Sequence, residues 1–379
     1  MKKIKINYMK VTISLIKADV GSLVGHHVVH PKQLELAKEL LEKAKRKKKI
    51  IDFYVFNCGD DLEILLSHNK GENNPEIHEL AWNVFKEVTE KVSKPLKLYA
   101  AGQDLLSEAF SGNIKGLGPV AVEMEIEERK SEPFIVLATD KAEAGAFNYY
   151  FFNVFANPMN TAGLIIDPEM HEGFTFKVVD VIENKSIELE TPKETYDLLA
   201  LIGTTGRYLV EKVYRTKDRL IAAAAGVSRL SLIAGVYKGK DDNAAIVRLQ
   251  HGLPATGEAL APFGIPYLTK GWMRGSHVGV LIPSSVKYSA PTYFDGPPRI
   301  VGLGFQLCEG KLVGLKDNEP ADLFADPIFD EVRRNAMKIA LYLRQHGEFE
   351  PERLGMDELE YTGITQILEK LKTRFKEIK

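Results

Sequence analysis

Short apolar runs that end in aspartate constrain the fold of this chain more than any other feature. The runs "MKVTISLIKAD" (residues 9–19) and "PFIVLATD" (133–140) have the length and β-branched content of buried strands, and "IIDFYVFN" (50–57) leads into "CGDD" in the same way. Between them lie segments with helical spacing, such as residues 31–47, which begin with proline. This alternation predicts a packed protein of the α/β (α+β) class.

Four further segments have helical character, and the second of them is interrupted by Gly203 and Gly206. They are residues 74–92, 195–215, 326–347 and 363–379. Residues 163–192 are predicted to form short strands and hairpins. The chain has no low-complexity linker and no internal repeat, so we expect one catalytic domain over residues 1–379, with residues 1–8 as an N-terminal extension. The irregular order of elements argues against a TIM barrel, and no glycine-rich phosphate loop is present.

Composition and charge exclude several classes of function. The 379 residues are 45% hydrophobic and 27% charged, and the net charge of −2 gives no reason to expect nucleic acid or an anionic membrane as a partner. The basic run at residues 42–49 is interpreted as the C-terminus of a helix rather than a nucleic-acid patch. Cys58 and Cys308 are too few for a disulfide framework or a zinc cluster. We expect a cytoplasmic protein without membrane spans, from a thermophile.

Acidic side chains follow the predicted strands at the points where each strand ends. They are Asp19, Asp60, Asp61, Asp140, Asp241 and Asp242. Any one of them alone is typical of a turn, but together they could converge on one edge of a sheet. Adjacent carboxylates repel one another unless a cation lies between them, and hard oxygen ligands suit Mg²⁺. The residues alone therefore favour a Mg²⁺-dependent phosphatase, with His26 and Gln103 as nearby candidates.

The stretch "GVYKGKDDNA" (235–244) adds two residues that a plain phosphatase does not require. Lys240 directly precedes Asp241 and Asp242, and Tyr237 comes three residues before the lysine. If the aspartates hold Mg²⁺, the lysine amine is free to attack a carbonyl, and the tyrosine can transfer the proton. A lysine that only binds phosphate is the simpler alternative.

Eight motifs then resemble one family in order along the chain. They are "TISLIKADVGSLVGHHVVHP", "FNCGDDLEILLSH", "YAAGQDLLSEAFSGN", "VLATDKAEAGAFN", "GVYKGKDDNA", "LPATGEALAPF", "GWMRGSH" and "YFDGPPR". The chain resembles the archaeal-type bifunctional fructose-1,6-bisphosphate aldolase/phosphatases from about Met9 to Tyr361. The resemblance implies a four-layer α-β-β-α sandwich, assembled as a homo-octamer in which a neighbouring subunit completes each site.

The resemblance also implies two gluconeogenic reactions in one site. Dihydroxyacetone phosphate and glyceraldehyde 3-phosphate condense through a Schiff base on Lys240, with Tyr237 as proton donor and acceptor. The C1 phosphate of the product, fructose 1,6-bisphosphate, is then hydrolysed with the help of several Mg²⁺ ions. The implied metal ligands are Asp19, His26, Asp60, Asp61, Gln103, Asp140, Lys240, Asp241 and Asp242. The implied sugar-phosphate contacts are His26, Tyr99, Gly112, Asn113, Lys141, Gln250, His251, Arg274, Asp295 and Tyr361.

Two other functions use the same residues. A Mg²⁺-dependent sugar or inositol phosphatase would need the carboxylates but would form no covalent adduct. A non-catalytic sensor would bind the sugar phosphate without turnover. The residues of "YKGKDD" favour the bifunctional enzyme over both.

Overall fold

A computed structural model describes residues 9–105, 118–229, 242–266, 268–272, 277–294, 296–346 and 363–378. Two sheets and the helices beside them confirm the predicted α/β (α+β) class. The helices are α1 (Pro31–Arg46), α2 (Pro75–Val88), α3 (Asn148–Ala156), α4 (Gly163–Ile166), α5 (Thr195–Ile202), α6 (Thr256–Leu260), α7 (Ile328–His346) and α8 (Ile364–Lys372). Shorter turns of helix are Thr89–Ser93, Gln103–Leu105, Ala261–Gly264, Val286–Tyr288 and Leu323–Ala325.

The first sheet has five antiparallel strands in the order β10-β4-β1-β3-β2. They are β1 (Lys10–Asp19), β2 (Asp52–Cys58), β3 (Asp61–His68), β4 (Val120–Glu127) and β10 (Ser228–Arg229). The hairpin between β2 and β3 turns at Gly59 and Asp60, which places the end of β2 beside the start of β3.

The second sheet has 11 strands, and its main path is β14-β15-β5-β11-β9-β8-β6-β7-β18. Its strands are β5 (Glu132–Asp140), β6 (Phe174–Asp180), β7 (Lys185–Glu190), β8 (Tyr208–Arg215), β9 (Ile221–Ala225), β11 (Ala244–Arg248), β14 (Ile282–Pro283), β15 (Arg299–Cys308), β16 (Lys311–Val313), β17 (Ala321–Asp322) and β18 (Lys376–Glu377). A separate pair consists of β12 (Leu268–Gly271) and β13 (His277–Val280).

Three apolar clusters show how these elements pack. One cluster joins residues of β1 and β4 to residues of β5, β11 and β15, so the two sheets face each other. A second cluster joins the other face of the first sheet to α1 and α2. The third covers the other face of the second sheet with α3, α5 and α8. Helices thus lie on both outer faces, which is consistent with the expected four-layer α-β-β-α arrangement.

Local signals fix the N-termini of the first two helices. The His30 side chain accepts a hydrogen bond from the Lys32 amide at the start of α1, and proline follows it at the first helical position. Asn74 caps α2 in the same way. These two helices confirm the predictions made from their spacing.

The predicted helix over residues 195–215 is wrong in its second half. Helix α5 ends at Ile202, and Tyr208–Arg215 forms strand β8, which pairs with β6 and β9. Gly203 ends the helix, and β8 contains two valines and two tyrosines, which strand positions favour. Over so short a segment, the spacing of apolar residues fits a helix and also a strand that is buried on both faces. Long-range pairing inside the second sheet therefore decided that these residues form a strand.

Helices long and apolar enough to cross a membrane do not occur in the part of the chain that the structure describes.

Candidate active site

Strand alternation carries four charged side chains into the space between the sheets. On β1, Leu15 belongs to the apolar layer between the sheets, and successive side chains alternate in direction, so Lys17 and Asp19 lie on the same face. On β3, Asp61 and Glu63 continue the face of Leu65 in the same way. The antiparallel register places Asp19 opposite Asp61, and Lys17 opposite Glu63. Charges therefore replace apolar side chains at one end of the layer.

The second sheet supplies carboxylates to the same end. On β5, Val136 and Ala138 belong to the apolar layer between the sheets, and Asp140 continues their face. Strand β11 runs antiparallel to β5 and begins beside the end of β5, so Asp242 just before it comes close to Asp140. The Asp242 amide donates to the Ala142 carbonyl (2.7 Å), and its Oδ1 accepts from the Ala142 amide (3.0 Å). This pair of hydrogen bonds fixes the Asp242 carboxylate.

Two groups of side chains present possible metal ligands, and in each group one ligand atom per residue lies within 4.8 Å of the others. The first group is Asp19, His26 and Asp60, and the second is Asp61, Asp140 and Asp242. Both groups lie at the same end of the two sheets. The structure thus brings together five of the six aspartates that the sequence singled out; Asp241 lies outside the described residues.

His26 ties the first group together. Its Nδ1 lies 3.0 Å from Asp60 Oδ2 and 3.6 Å from Asp19 Oδ2. Hydrogen bonds to these two carboxylates raise the pKa of His26 to about 10. The ring of Tyr99 contacts His26 edge-on at a centroid distance of 4.8 Å. Two residues predicted to contact the sugar phosphate are therefore adjacent at this site.

Lys141 connects the two groups. Its Nζ lies 2.8 Å from Asp60 Oδ1 and 2.8 Å from Asp140 Oδ1. Burial alone would raise the pKa of Asp60, but the charges of Lys141 and His26 hold it well below its ordinary value. Burial raises the pKa of Asp140 to about 8, because Lys141 offsets only part of the penalty and Asp60 adds to it.

One carboxylate oxygen of Asp140 has no hydrogen-bond partner in the part of the chain that the structure describes. Its Oδ2 is buried, and no donor among the described residues hydrogen-bonds to it. A buried carboxylate oxygen without a partner is costly, so such an atom points to a missing ligand. Together with the other carboxylates and the His26 imidazole, it fits a hard divalent cation such as Mg²⁺.

Lys17 and Glu63 also lie at this site, and the sequence did not predict either of them. Lys17 Nζ lies 2.7 Å from Asp61 Oδ2 and 3.5 Å from Glu63 Oε1, and it donates to the Thr139 carbonyl (2.7 Å). Burial alone would lower the pKa of Lys17, but the carboxylates raise it well above its ordinary value. Burial raises the pKa of Glu63 to about 7. Both residues could have been predicted from their position, because each is a charged residue two positions from an aspartate and therefore on the same face of the strand.

Asp104 is a third residue at the site that the sequence did not predict. Its carboxylate accepts hydrogen bonds from the Asp19 amide (2.9 Å) and the Gly118 amide (2.9 Å). The adjacent Gln103, a predicted metal ligand, lies in the short helical turn Gln103–Leu105, and its side chain lies outside the described atoms.

Two of the predicted substrate contacts lie at the opposite end of the second sheet. The Leu249 amide donates to the Pro133 carbonyl at the start of β5, whereas Asp140 ends that strand. A strand rises about 3.3 Å per residue, so Gln250 and His251 lie roughly 20 Å or more from Asp140 in the same chain. The remaining predicted residues lie outside the described part of the chain. They are Tyr237, Lys240, Asp241, Gly112, Asn113, Arg274, Asp295 and Tyr361.

Two groups of mostly buried carboxylates, one of them with His26 and both linked by Lys141, could hold divalent metal ions, as in the class of metal-dependent enzymes that hydrolyse phosphate esters. A profile of the family described as fructose-1,6-bisphosphatase matches residues 10–376. The chain belongs to this family and, within it, to the fructose-1,6-bisphosphate aldolase/phosphatases.

Three relatives illustrate the similarity, and each is named "Fructose-1,6-bisphosphate aldolase/phosphatase". The relative from Ignicoccus hospitalis is 58% identical over 98% of this chain and 94% of its own length. The relative from Moorella thermoacetica is 54% identical over 97% and 94%. The relative from Methanothermobacter marburgensis is 52% identical over 98% of this chain and 100% of its own length.

Proposed function

We propose that this chain catalyses two consecutive reactions of sugar-phosphate metabolism at one site. Dihydroxyacetone phosphate and glyceraldehyde 3-phosphate condense to fructose 1,6-bisphosphate, whose C1 phosphate is then hydrolysed to leave fructose 6-phosphate. The near full-length similarity to relatives with this double name supports the proposal. The direction of synthesis makes the enzyme gluconeogenic.

One observation about chain connectivity carries the proposal. Asp242 belongs to the second group of possible metal ligands, and Lys240 precedes it by two residues. Covalent geometry limits the distance between Cα atoms two residues apart to about 7 Å. A lysine that attacks the ketone and the carboxylates that serve phosphate hydrolysis can therefore belong to a single site.

The proposed residues divide the chemistry between the two reactions. In the aldol step the Lys240 amine attacks the ketone of dihydroxyacetone phosphate, and Tyr237 transfers the protons of imine formation and of carbon–carbon bond formation. In the hydrolytic step Lys141 and Tyr99 orient the sugar phosphate beside His26. Several Mg²⁺ ions held by Asp19, His26, Asp60, Asp61, Asp140 and Asp242 would neutralise the phosphate oxygens and activate water. Asp140 Oδ2, which has no hydrogen-bond donor among the described residues, supports this ligand set.

Assembly is part of the proposal. Gln250 and His251 lie too far from the carboxylates of their own chain to share one substrate with them. If they contact the sugar phosphate, as the resemblance implies, they do so in the site of a neighbouring subunit. We therefore propose a homo-oligomer, an octamer by resemblance, in which each site uses two chains.

Trapping the covalent adduct tests the aldol half. The protein is incubated with dihydroxyacetone phosphate, reduced with borohydride and mapped by peptide mass spectrometry. We expect one adduct, on Lys240, which is lost in Lys240→Ala and retained in Lys238→Ala, the neighbouring lysine of the same motif. Phosphate release from fructose 1,6-bisphosphate without any adduct would support a phosphatase alone. Binding without release or adduct would support a sensor.

A further inference from the structure

The turn that carries Gln250 and His251 has an unusual backbone. Three consecutive residues have left-handed conformations: Gln250 (φ 62°), His251 (φ 53°) and Gly252 (φ 75°). The side chains of Gln250 and His251 are exposed. Left-handed conformations cost about 1–2 kcal/mol for residues other than glycine, and they persist only where the surroundings impose them. Something beneath this turn must therefore hold it.

Two arginines hold the turn from below. Arg129 donates to the carbonyls of Leu249 (2.8 Å) and Gln250 (2.7 Å). Arg215 donates to the carbonyls of His251 (3.3 Å) and Gly252 (3.1 Å). Four consecutive carbonyls of the turn thus point inward at guanidinium groups. With the carbonyls directed inward, the two polar side chains are left to project from the surface.

A buried carboxylate, Glu132, and an exposed one, Asp218, fix the arginines themselves. Glu132 is fully buried and accepts two hydrogen bonds from Arg129 (2.7 and 2.9 Å) and two from Arg248 (2.6 and 2.8 Å). Asp218 accepts two from Arg215 (2.6 and 3.0 Å). When a carboxylate hydrogen-bonds to one edge of a planar guanidinium group, the N–H groups of the other edge point in a fixed direction.

Gly252 completes the arrangement. A Cβ atom at this position would overlap Nη1 of Arg215, so only glycine lets the guanidinium reach the turn. The left-handed backbone, the hydrogen bonds from the two arginines and the close approach at Gly252 all stabilise one conformation of the turn.

We propose that Arg129 and Arg215 are positioning residues for the substrate site of a neighbouring subunit. They hold the turn 249–252 so that the amide of Gln250 and the imidazole of His251 meet the sugar phosphate across the interface. This inference rests on the proposed function, since it takes the sugar phosphate as the ligand of these two side chains. Neither arginine touches the substrate.

Steady-state kinetics give the first test. In Arg129→Met, the KM for fructose 1,6-bisphosphate is expected to rise about tenfold while kcat changes less than about twofold, because ground-state binding is lost rather than chemistry. Arg129→Lys, which keeps the charge but not the fork, is expected to recover part of the loss. Arg207→Met is the control. Arg207 also donates two hydrogen bonds to a carboxylate, both to Oδ2 of Asp180, and it directly precedes β8, far along that strand from Arg215. We expect no change in KM for this variant.

Mixed oligomers give the decisive test. Subunits with Arg129→Met are co-expressed with subunits that carry Asp61→Asn, under two affinity tags, and the mixed assemblies are purified. The first subunit has intact carboxylates and a disturbed turn 249–252. The second subunit has an altered carboxylate group and an intact turn. We expect the mixed assemblies to show the low KM of the wild-type enzyme. We expect the same result when the Gln250→Ala, His251→Ala double variant replaces Arg129→Met.

The outcomes separate this inference from the function on which it rests. An unchanged KM in Arg129→Met overturns the inference, and so does a raised KM that mixing does not restore, because the arginine then supports its own chain's site. A wild-type enzyme that releases no phosphate from fructose 1,6-bisphosphate overturns the proposed function instead, and the substrate role of the turn with it.

Discussion

The carboxylate of Asp140 lies directly over Gly59. Gly59 has a left-handed backbone (φ 58°) in the turn between β2 and β3, and a Cβ atom there would overlap Asp140 Oδ2. The glycine therefore lets the carboxylate at the end of the second sheet approach the turn that carries Asp60 in the first. This contact closes the distance between the two groups of possible metal ligands.

Gly59→Ala is expected to separate the two groups of possible metal ligands. The added methyl group must displace the Asp140 carboxylate or the turn, so we expect phosphate release to fall at least about tenfold and Mg²⁺ affinity to drop with it. Isothermal titration of the metal-free protein with Mg²⁺ measures the affinity directly. The control is Gly257→Ala, where a Cβ meets nothing within 4 Å. Equal Mg²⁺ affinity in Gly59→Ala and the wild type would show that the close contact has no role in metal binding.

Asp140→Asn tests the proposed metal ligand whose Oδ2 has no donor among the described residues. The substitution keeps the shape but removes the charge, and we expect it to weaken Mg²⁺ binding by about 10-fold to 100-fold while the metal-free protein melts no earlier than the wild type. Burial already raises the pKa of this carboxyl to about 8, so the neutral amide costs the metal-free fold little. Asp317→Asn, at an exposed aspartate, is the control. Undiminished Mg²⁺ binding would remove Asp140 from the ligand set.

Lys17→Met tests the buried ammonium between Asp61 and Glu63. Removing one partner of a buried ion pair leaves the other charge uncompensated, at a cost of about 3–5 kcal/mol. We expect a loss of that order in the free energy of unfolding of the metal-free protein at neutral pH, partly recovered by adding Glu63→Gln. Lys45→Met removes an ion pair to Asp52 whose lysine is 40% exposed, and it should cost about 1 kcal/mol or less. Similar costs for the two variants would contradict the view that Lys17 balances buried charge.

His68 predicts a pH dependence that is independent of the metal ligands. Its Nδ1 accepts from the Lys70 amide (3.3 Å), so its Nε2 donates to Ser14 Oγ (2.8 Å), which donates to Glu123 (2.7 Å). Burial lowers the pKa of His68 from 6.5 to about 4, against the opposing charge of Glu123.

Between these pH values the unfolded state binds the proton and the folded state does not. The free energy of unfolding should therefore fall as the pH drops from 6.5 to 4, by about 3 kcal/mol for this group. Urea unfolding at pH 7 and pH 4.5 measures it. We expect His68→Gln to lose less stability over this interval than the wild type and than His171→Gln, a control at an exposed histidine. Equal acid sensitivity in all three would exclude His68 as the cause.

Periodicity predicted the elements that depend on local signals. The spacing and caps of α1 and α2 are local, and both helices formed as expected. The strand that ends at Asp19 and the one that ends at Asp140 were also predicted. Residues 208–215 form a strand and not the predicted helix. This strand pairs with a neighbour on each side, and the spacing of its apolar residues does not distinguish such a strand from a helix.

The sequence by itself determined the family, the fold class and the aspartates that follow the strands, since each depends on residue type and order along the chain. Only the tertiary structure decided which charges meet. Lys17 reaches Asp61 because two strands pair in one register, and Asp140 reaches Gly59 because two sheets face each other. Tertiary structure also carried Gln250 away from the carboxylates, to the other end of the sheet. Such contacts join residues far apart in sequence, and no local propensity encodes them.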